Sequence, residues 1–451
     1  MEGLEISEIK YSEYIQTYRL RLDSDYYLKA YLANEKYLAS KNSIKDISFS
    51  NILNIKNLRL KKDFNYLEIS GIKSNSLSYS YNKINFKEIP DRATYILSNN
   101  DVVVSTVRPN RNSVAFIHNA NRLIGTSGLT VLRADSTKIS PYYLFVFCKT
   151  KFFITKLMRE NTATMYPAVS DYDVLNVKIP ILSISFQQII NNKIEHAFKC
   201  IKQSQSLYKQ AEKLLLETLG LNDFRPSQET INIKPFKESF LEKGRLDAEY
   251  YQPKYENIIT HIKTFETKQL GEIANIKKSI EPGSDAYESE GIPFIRVSNM
   301  TKFGITETDI FLDKVKYGNL DLQPKKDTIL LSKDGSVGIA YKFEQDLDVI
   351  TSGALLHLTV EDKDFLPDYI TLVLNSIIVK MQAERDAGGS IIQHWKPSEI
   401  EQVIIPKLPM ATQEKIASLV QESFALRKES ERLLIEAKEM VEREIEDGIY
   451  N

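Results

Sequence analysis

Arg21-Leu22-Asp23-Ser24-Asp25-Tyr26-Tyr27 recurs further along the chain as Arg245-Leu246-Asp247-Ala248-Glu249-Tyr250-Tyr251. Two more pairs of segments match in the same order, namely Thr126-Ser127-Gly128 with Thr351-Ser352-Gly353, and residues 173–180 with residues 399–406. The spacing within the three pairs drifts only from 224 to 226 residues. We interpret this as a tandem duplication of about half the chain, with a period far too long for a solenoid. It predicts two copies of one domain fold that perform one binding task twice.

Both copies show the same order of local patterns. Short apolar runs predict strands, and they cover residues 102–104, 113–117 and 129–132 in the first copy and residues 328–331, 337–341 and 354–358 in the second. A short helical stretch follows in each copy, from Tyr142 to Met158 and from Pro367 to Ala383. Each copy then has a polar loop and an Ile-Pro ending, after which Gln187 and Ile190 match Gln413 and Ile416.

A long segment of helical period closes each copy, over residues ~187–219 and ~413–446, each about 50 Å long at 1.5 Å per residue. Apolar and small residues recur there at the alternating spacing of a coiled-coil seam. The first seam is Ile190, Ile194, Ala197, Ile201, Ser204, Tyr208, Ala211 and Leu215, and the second is Ile416, Leu419, Ser423, Leu426, Ser430, Leu433, Ala437 and Met440. Neither helix can bury its stripe alone, so we expect the two to pair, although each could instead lie on its own domain.

Composition places the chain among multidomain globular proteins. Its 451 residues are 42% hydrophobic, and 59 Lys+Arg oppose 60 Asp+Glu, which by itself does not indicate nucleic-acid binding. The balance hides an asymmetry, because residues 1–225 carry 31 Lys+Arg against 21 Asp+Glu and the remainder carries 28 against 39. The acidic second part could still bind DNA if its few cations are focused on one face or if a partner subunit supplies the phosphate contacts. Alternatively, the split is solvated surface without functional meaning. Two cysteines, Cys148 and Cys200, lack metal-ligand spacing, which predicts buried thiols in a reducing cytoplasm. The N-terminus has no basic region followed by an apolar run and nothing later approaches ~18 consecutive apolar residues, so we expect no signal or membrane segment.

Catalytic motifs are missing from the sequence. It contains no phosphate-binding Gly-rich loop followed by Lys-Ser/Thr, no dinucleotide fingerprint, no Gly-x-Ser-x-Gly elbow, and no histidine pair at metal-binding spacing. Gly335 and Gly338 lie between two predicted strands and indicate a tight turn. The duplicated acids Asp23 and Asp25, with Asp247 and Glu249, are interpreted as capping or anchoring groups of the Arg-Leu-Asp segment. A large duplicated chain without a reaction centre favours a binding function.

These residues resemble the specificity subunits of type I restriction-modification systems over nearly the whole chain. The resemblance depends on residues 245–255 (RLDAEYYQPKY), 293–299 (PFIRVSN), 330–338 (LLSKDGSVG), the loop 389–397 (GSIIQHWKP), the Ile-Pro ending and the helix start at 413–416 (QEKI). The first copy departs from this pattern in its loop at 161–167 (NTATMYP), which has neither the glycine pair nor the tryptophan. Transfer of residue roles is therefore weakest in that loop.

The resemblance implies an α+β fold of two tandem target-recognition domains, each with a mixed or antiparallel sheet and short helices, followed by long helices that pair as an antiparallel coiled coil. The expected domains are residues 1–186 and 223–412, with spacer helices at 187–222 and 413–451. It implies no catalysis and no cofactor on this chain, but double-stranded DNA and two adenine-N6 methyltransferase subunits with S-adenosylmethionine as partners. Motor-nuclease subunits with ATP and Mg²⁺ could join them. A fragment of a methyltransferase or nuclease, a protein-interaction scaffold and a methylation-only defence system are the alternatives.

Sequence readout needs hydrogen-bonding groups in the major groove and separate cations on phosphates, so the best candidates are irregular polar segments held by strands. The predicted DNA-binding residues of the first copy are Arg108, Asn110, Arg111, Asn112, Thr162, Thr164 and Tyr166. Those of the second are Arg296, Ser298, Asn299, Lys333, Gln393, His394 and Lys396. Trp395 could be packed against its own domain instead. Because the two sets differ, we expect a non-palindromic target.

Overall fold

The structure is a computed structural model, and it describes residues 7–15, 20–39, 43–44, 48–49, 63–74, 76–162, 166–242, 244–387 and 393–448. Contacts divide the chain into two compact units. Unit 1 comprises Met1–Gln203 and Leu426–Asn451, and unit 2 comprises Ser204–Ala425. Both divisions fall within the two long helices, so each long helix contributes to both units.

Unit 1 combines short helices with ten short strands among its described residues. Its helices are α1 (Tyr11–Tyr14), α2 (Lys29–Leu38), α3 (Pro141–Cys148), α4 (Lys151–Glu160), α5 (Asp171–Leu175), the first part of α6 (Ile184–Thr218) and the last part of α13 (Met410–Asp447). Its strands are β1 (Ser43–Ile44), β2 (Ser48–Phe49), β3 (Phe64–Leu67), β4 (Asn82–Ile84), β5 (Ala93–Ile96), β6 (Asp101–Ser105), β7 (Val114–Phe116), β8 (Leu123–Thr126), β9 (Leu129–Arg133) and β10 (Ile179–Pro180).

Unit 2 has the same kind of composition. Its helices are the last part of α6, α7 (Pro253–Ile262), α8 (Leu270–Ile273), α9 (Lys314–Tyr317), α10 (Pro367–Leu374), α11 (Ile377–Asp386), α12 (Pro397–Glu401) and the first part of α13 (Met410–Asp447). Its strands are β11 (Thr267–Gln269), β12 (Ala274–Lys278), β13 (Ile292–Ile295), β14 (Met300–Thr301), β15 (Gly304–Ile305), β16 (Phe311–Leu312), β17 (Ile329–Ser332), β18 (Ala340–Lys342), β19 (Ile350–Thr351), β20 (Leu355–Val360) and β21 (Ile404–Pro406).

Sheet topology confirms the predicted duplication. An antiparallel sheet in the order β2-β9-β6-β7 in unit 1 corresponds to β12-β20-β17-β18 in unit 2. A second sheet in each unit contains one parallel pair, β3 with β8 and β13 with β19, flanked by an antiparallel strand, β4 or β16. The Ile-Pro endings form two-stranded pairs, β1 with β10 and β11 with β21. Both units therefore have the expected α+β class with mixed and antiparallel sheets.

Matched residues of the two copies also make matched hydrogen bonds. The hydroxyl of Tyr143 donates to the Pro180 carbonyl at 2.7 Å, and the hydroxyl of Tyr369 donates to the Pro406 carbonyl at 2.7 Å. In unit 1, Oε1 of Gln187 accepts a hydrogen bond from the Ser140 amide at 2.9 Å. In unit 2, Oε1 of the matched Gln413 accepts one from the Leu366 amide at 3.0 Å. The repeat is thus preserved in buried polar contacts as well as in strand order.

Three details of the secondary structure differ from the sequence prediction. The helical stretches 142–158 and 367–383 are each two helices, because Thr150 and Ser376 start a second helix by accepting a hydrogen bond from its first turn. The strand expected at 337–341 begins only at Ala340, since Gly338 has a positive φ of 80°. Asp23 and Asp247 make no side-chain cap bond to the 3-10 helices that follow them. They bind arginines instead.

The long helices pack against each other, antiparallel, within each unit. In unit 1 the residues of α6 up to Cys200 share a core with Leu434, Ala437 and Val441 of α13, and Lys193 forms an ion pair with Glu436 at 2.7 Å. In unit 2 Tyr208, Ala211 and Leu215 share a core with Ile416 and Val420 of the other helix. The hydroxyls of Ser204 and Ser423 lie 3.1 Å apart in that seam.

The seam predicted for α6 is confirmed, because all eight of its residues are buried. In α13 the predicted Leu419, Leu426 and Met440 are only half-buried. Val420 and Val441, one residue beyond Leu419 and Met440, are buried in their place. A strict spacing of 3.5 residues drifts relative to a helix of 3.6 residues per turn, which accounts for shifts of one position.

Candidate nucleic-acid interface

Two polar segments meet in unit 1, as required for a composite reading surface. The first is the turn between β6 and β7, and the second is the loop that follows α4. The Arg108 amide donates to the Pro167 carbonyl at 2.7 Å, and Val107 forms an antiparallel bridge with Ala168. The Arg108 guanidinium lies 5.5 Å from the centre of the Tyr166 ring. Strand pairing thus brings together residues that sequence reasoning assigned to two separate loops.

The turn in unit 1 has an uncommon backbone. A 3-10 helix of Pro109–Arg111 is flanked by Arg108 at φ 51° and Asn112 at φ 50°, both in the left-handed region. A non-glycine residue costs roughly 1 kcal/mol or more in that region. Unit 2 uses glycines in the matched turn, where Gly335 and Gly338 have φ values of 72° and 80°.

The four predicted DNA-binding residues of this turn differ in solvent exposure. Arg108, Asn110 and Arg111 are exposed, and arginine and asparagine carry the paired donors and acceptors that match guanine and adenine edges. Asn112 is half-buried, and its Nδ2 donates to the Lys149 carbonyl at 2.8 Å. Its Oδ1 is buried without a hydrogen-bond partner among the described residues. The Asn112 side chain therefore stabilises the turn by binding the Lys149 carbonyl.

Lys149 contacts the turn through its backbone carbonyl, which accepts the hydrogen bond from Asn112. Sequence reasoning missed this residue. Its ammonium group is enclosed by protein and donates to the Ser74 carbonyl at 2.6 Å. Burial lowers the pKa of Lys149 to about 7. No local sequence signal marks a buried lysine, because Cys148-Lys149-Thr150 is an ordinary helix junction.

The loop after α4 contributes Tyr166, which is 49% exposed. The Thr162 amide donates to the Ala168 carbonyl at 3.4 Å, and the Ala168 amide donates to Oδ1 of Asn161 at 2.9 Å. These bonds close the base of the loop. Thr164 lies outside the described residues.

The matched surface of unit 2 joins the β17–β18 turn to residues 393–396. Asp334 forms an antiparallel bridge with His394, and the Gly335 amide donates to the Gln393 carbonyl at 2.9 Å. The Trp395 amide donates to the Lys333 carbonyl at 2.8 Å. Lys333, Gln393 and His394 are therefore brought together, although Asp334 and His394 are 60 positions apart in the chain.

Asp334 lies at the centre of this surface, although it was not among the predicted residues. Its Oδ1 is 2.6 Å from Nδ1 of His394, and its Oδ2 contacts Nζ of Lys333. The glycine turn Lys-Asp-Gly was visible in the sequence, but nothing there showed that the carboxylate faces two predicted DNA contacts.

The remaining predicted residues of unit 2 have separate surroundings. Arg296, Ser298 and Asn299 lie around a 3-10 turn after β13, where Asn299 Oδ1 accepts from the Arg296 amide at 3.2 Å. Ser298 is exposed, whereas Nε of Arg296 is buried without a hydrogen-bond partner among described residues. Lys396 is exposed, and its Nζ lies 3.5 Å from Glu399. Trp395 is 1% exposed in the main core of unit 2, so it packs against its own domain.

A duplicated arginine clamp anchors the start of each polar loop. Arg21 forms two hydrogen bonds with the Asp23 carboxylate and donates to the Asn161 carbonyl at 2.8 Å. Arg245 binds Asp247 in the same way and donates to the Asp386 carbonyl at 3.2 Å. The hydrogen bonds from Arg21 and Arg245 lower the pKa of Asp23 and Asp247 respectively. The anchoring interpretation of these acids agrees with this geometry.

Metal-binding clusters and membrane-spanning helices are both absent from the described ranges. No group of three or more His, Cys, Asp or Glu side chains there could hold a metal ion. Among the same residues, no helix has the length and apolar character needed to cross a bilayer. Cys148 and Cys200 are buried and not disulfide-bonded, as expected from the sequence.

The chain is similar to known proteins in a family model and in solved structures. The family model described as "Type I restriction modification DNA specificity domain" matches residues 262–436. No curated protein matches the chain.

Three solved structures illustrate the likeness at low identity. The HsdS subunit from Thermoanaerobacter tengcongensis is 19% identical, with 88% of this chain and 93% of that one covered and a TM-score of 0.32. The type I restriction-modification S subunit from M. genitalium is 15% identical, with 88% and 92% covered and a TM-score of 0.38. A chain from a study of complex assembly and conformational transition of the type I R-M system is 19% identical, with 89% and 95% covered and a TM-score of 0.33. The resemblance to type I specificity subunits is confirmed over residues 262–436, which match the model of the type I restriction modification DNA specificity domain.

Proposed function

We propose that this chain is the non-catalytic DNA specificity subunit of a type I restriction-modification complex, in which each unit reads one half of a bipartite duplex target. One observation carries the proposal: both units join the turn of their antiparallel sheet to a second polar loop at the same place, through the Val107–Ala168 and Asp334–His394 bridges. A shared scaffold that presents two surfaces fits a reader of two half-sites.

The side chains on the two surfaces favour an asymmetric target. Unit 1 presents Arg108 stacked on Tyr166, together with Arg111 and Asn110. Unit 2 presents a carboxylate between a lysine and a histidine. Guanidinium groups suit guanine O6 and N7, and in unit 2 the exposed amide of Gln393 suits adenine N6 and N7. Two different donor and acceptor patterns select two different base sequences.

The chemistry of the complex would lie on partner subunits. We propose that two adenine-N6 methyltransferase subunits, which supply S-adenosylmethionine, are positioned on the DNA by this chain. Motor-nuclease subunits with ATP and Mg²⁺ would join when the system also restricts. A system of methylation alone would use the same surfaces of this chain.

Filter binding of the full chain, with and without its methyltransferase partner, tests the proposal across a salt series. We expect binding to duplex DNA that weakens linearly in log affinity against log salt, because counterions are released from phosphates. Sequencing of methylated adenines in the host should show a split, non-palindromic motif. A chain that binds no DNA in the presence of its partner would instead be a protein scaffold.

A further inference from the structure

The turn between β17 and β18 holds an ion pair that is largely withdrawn from solvent. The Lys333 side chain is 13% exposed and that of Asp334 is 20% exposed, whereas His394 is 67% exposed. Both carboxylate oxygens are occupied, one by Nζ of Lys333 and one by Nδ1 of His394. The positive charge of Lys333 is therefore directed at Asp334 and away from solvent.

Backbone bonds hold this arrangement on both sides. The Lys333 carbonyl accepts from the Trp395 amide, and Trp395 is fixed in the core of the unit. The Gly335 amide donates to the Gln393 carbonyl at 2.9 Å. Because the main chain on either side of Asp334 is held and the Lys333 side chain is only 13% exposed, a phosphate that engages Lys333 must compete with the Asp334 carboxylate.

Unit 1 has no acidic residue in the matched turn, residues 106–113. The carboxylate at 334 is thus a property of the second surface alone, and it is not required by the shared scaffold.

We propose that Asp334 is a specificity-determining residue of unit 2, because it withholds Lys333 from the phosphates of arbitrary DNA. The proposal depends on the proposed function of the chain as a DNA reader. Phosphate contacts raise affinity for every sequence, whereas discrimination is a difference between affinities. Restraint of Lys333 lowers the affinity for non-specific DNA. The β17–β18 turn then contributes to DNA binding through contacts with base edges.

Asp334→Asn tests the proposal, since asparagine keeps the shape and an acceptor oxygen but removes the charge. The full chain with its methyltransferase partner is titrated with a random-sequence duplex across a salt series. We expect the slope of log affinity against log salt to steepen by about 0.9, the contribution of one cation that neutralises a phosphate. The ratio of specific to non-specific affinity should fall.

A second pair of variants separates release of Lys333 from a general loss of negative charge. Lys333→Gln alone should leave the slope unchanged, and Asp334→Asn combined with Lys333→Gln should restore the wild-type slope. Glu414→Gln removes an exposed acid of unit 2 on α13 and should not steepen the slope. Thermal unfolding checks that all variants are folded.

Two results would overturn this inference. One is an unchanged slope in Asp334→Asn, and the other is a slope that Lys333→Gln alone lowers by about 0.9, because Lys333 would then already contact a phosphate. A wild-type complex that binds no duplex would contradict the proposed function itself. The two failures are thus distinguishable.

Discussion

Arg108 is the residue at which backbone strain and predicted function coincide. It keeps a left-handed conformation, although glycine occupies the matched turn of unit 2. Residues in strained conformations persist where the surrounding structure enforces them, and such positions concentrate at functional sites. Here the enforcing contacts are the bond to Pro167 and the stacking on Tyr166.

Replacement of Arg108 by alanine and by glycine should separate stability from recognition. Both variants lose the guanidinium, so each should weaken binding to the specific target by ~1–3 kcal/mol and relax the methylation motif in one half only. Arg108→Gly relieves the strain and should be more stable to unfolding than Arg108→Ala by about 1 kcal/mol. Methylome sequencing and urea unfolding measure the two effects, and an unchanged motif in both variants would refute the role of Arg108.

His357 should make unit 2 less stable in acid. Its Nε2 lies 2.7 Å from Oγ1 of Thr351, and burial, aided by the charge of Lys277, lowers its pKa to about 4. The unfolded histidine titrates near 6.5, so this contribution to stability is complete above about pH 6.5 and is lost as the pH falls towards 4. The loss should be on the order of 1–3 kcal/mol.

His357→Gln checks this contribution. Unfolding free energies of wild type and variant, measured between about pH 4 and 6.5, should differ in their slope, with the variant less sensitive to acid. His196→Gln, at an exposed position of α6, is the control and should keep the wild-type slope. Parallel slopes for wild type and His357→Gln would count against the assignment.

At the scale of elements, the long helices are stabilised by burial of one stripe rather than by helix propensity. Ile190 is fully buried in the core of unit 1, and its neighbour Ile189 is 50% exposed. Burial of apolar surface is what makes a helix of this length persist in a protein. The same helix thus offers a matched pair of isoleucines that differ only in burial.

Ile190→Ala should lower the free energy of unfolding by about 2–5 kcal/mol, because it deletes buried methylene groups and leaves a cavity. Ile189→Ala should change it by less than about 0.5 kcal/mol. Urea unfolding followed by circular dichroism measures both. Equal effects of the two substitutions would show that the seam is not where the structure places it.

At the scale of the whole molecule, the duplication predicts that the two reading surfaces act independently. Arg108→Ala should relax one half of the methylation motif, and His394→Ala should relax the other. Because the two surfaces share no side chain, the losses of binding free energy should add within about 0.5 kcal/mol in the double variant. Relaxation of the same half by both variants would contradict the division of labour between units.

Much of the fold could be deduced without coordinates. The duplication, the α+β class, five of the six predicted strand runs and the buried stripe of α6 all follow from patterns that repeat along the chain. Such patterns are local, since side-chain periodicity reports which face of a strand or helix is buried. The one-residue shifts in the α13 stripe show the limit of that reasoning.

Only the folded chain shows which side chains lie together on the two predicted DNA-binding surfaces. Tyr166 lies under Arg108, and Asp334 lies between Lys333 and His394, because bridges between distant segments close each turn onto its loop. The residue types were visible in the sequence, but whether Asn112 faces solvent or the Lys149 carbonyl was not. Contacts between residues about 60 positions apart depend on strand pairing, and no local pattern encodes which side chains that pairing brings within hydrogen-bond distance.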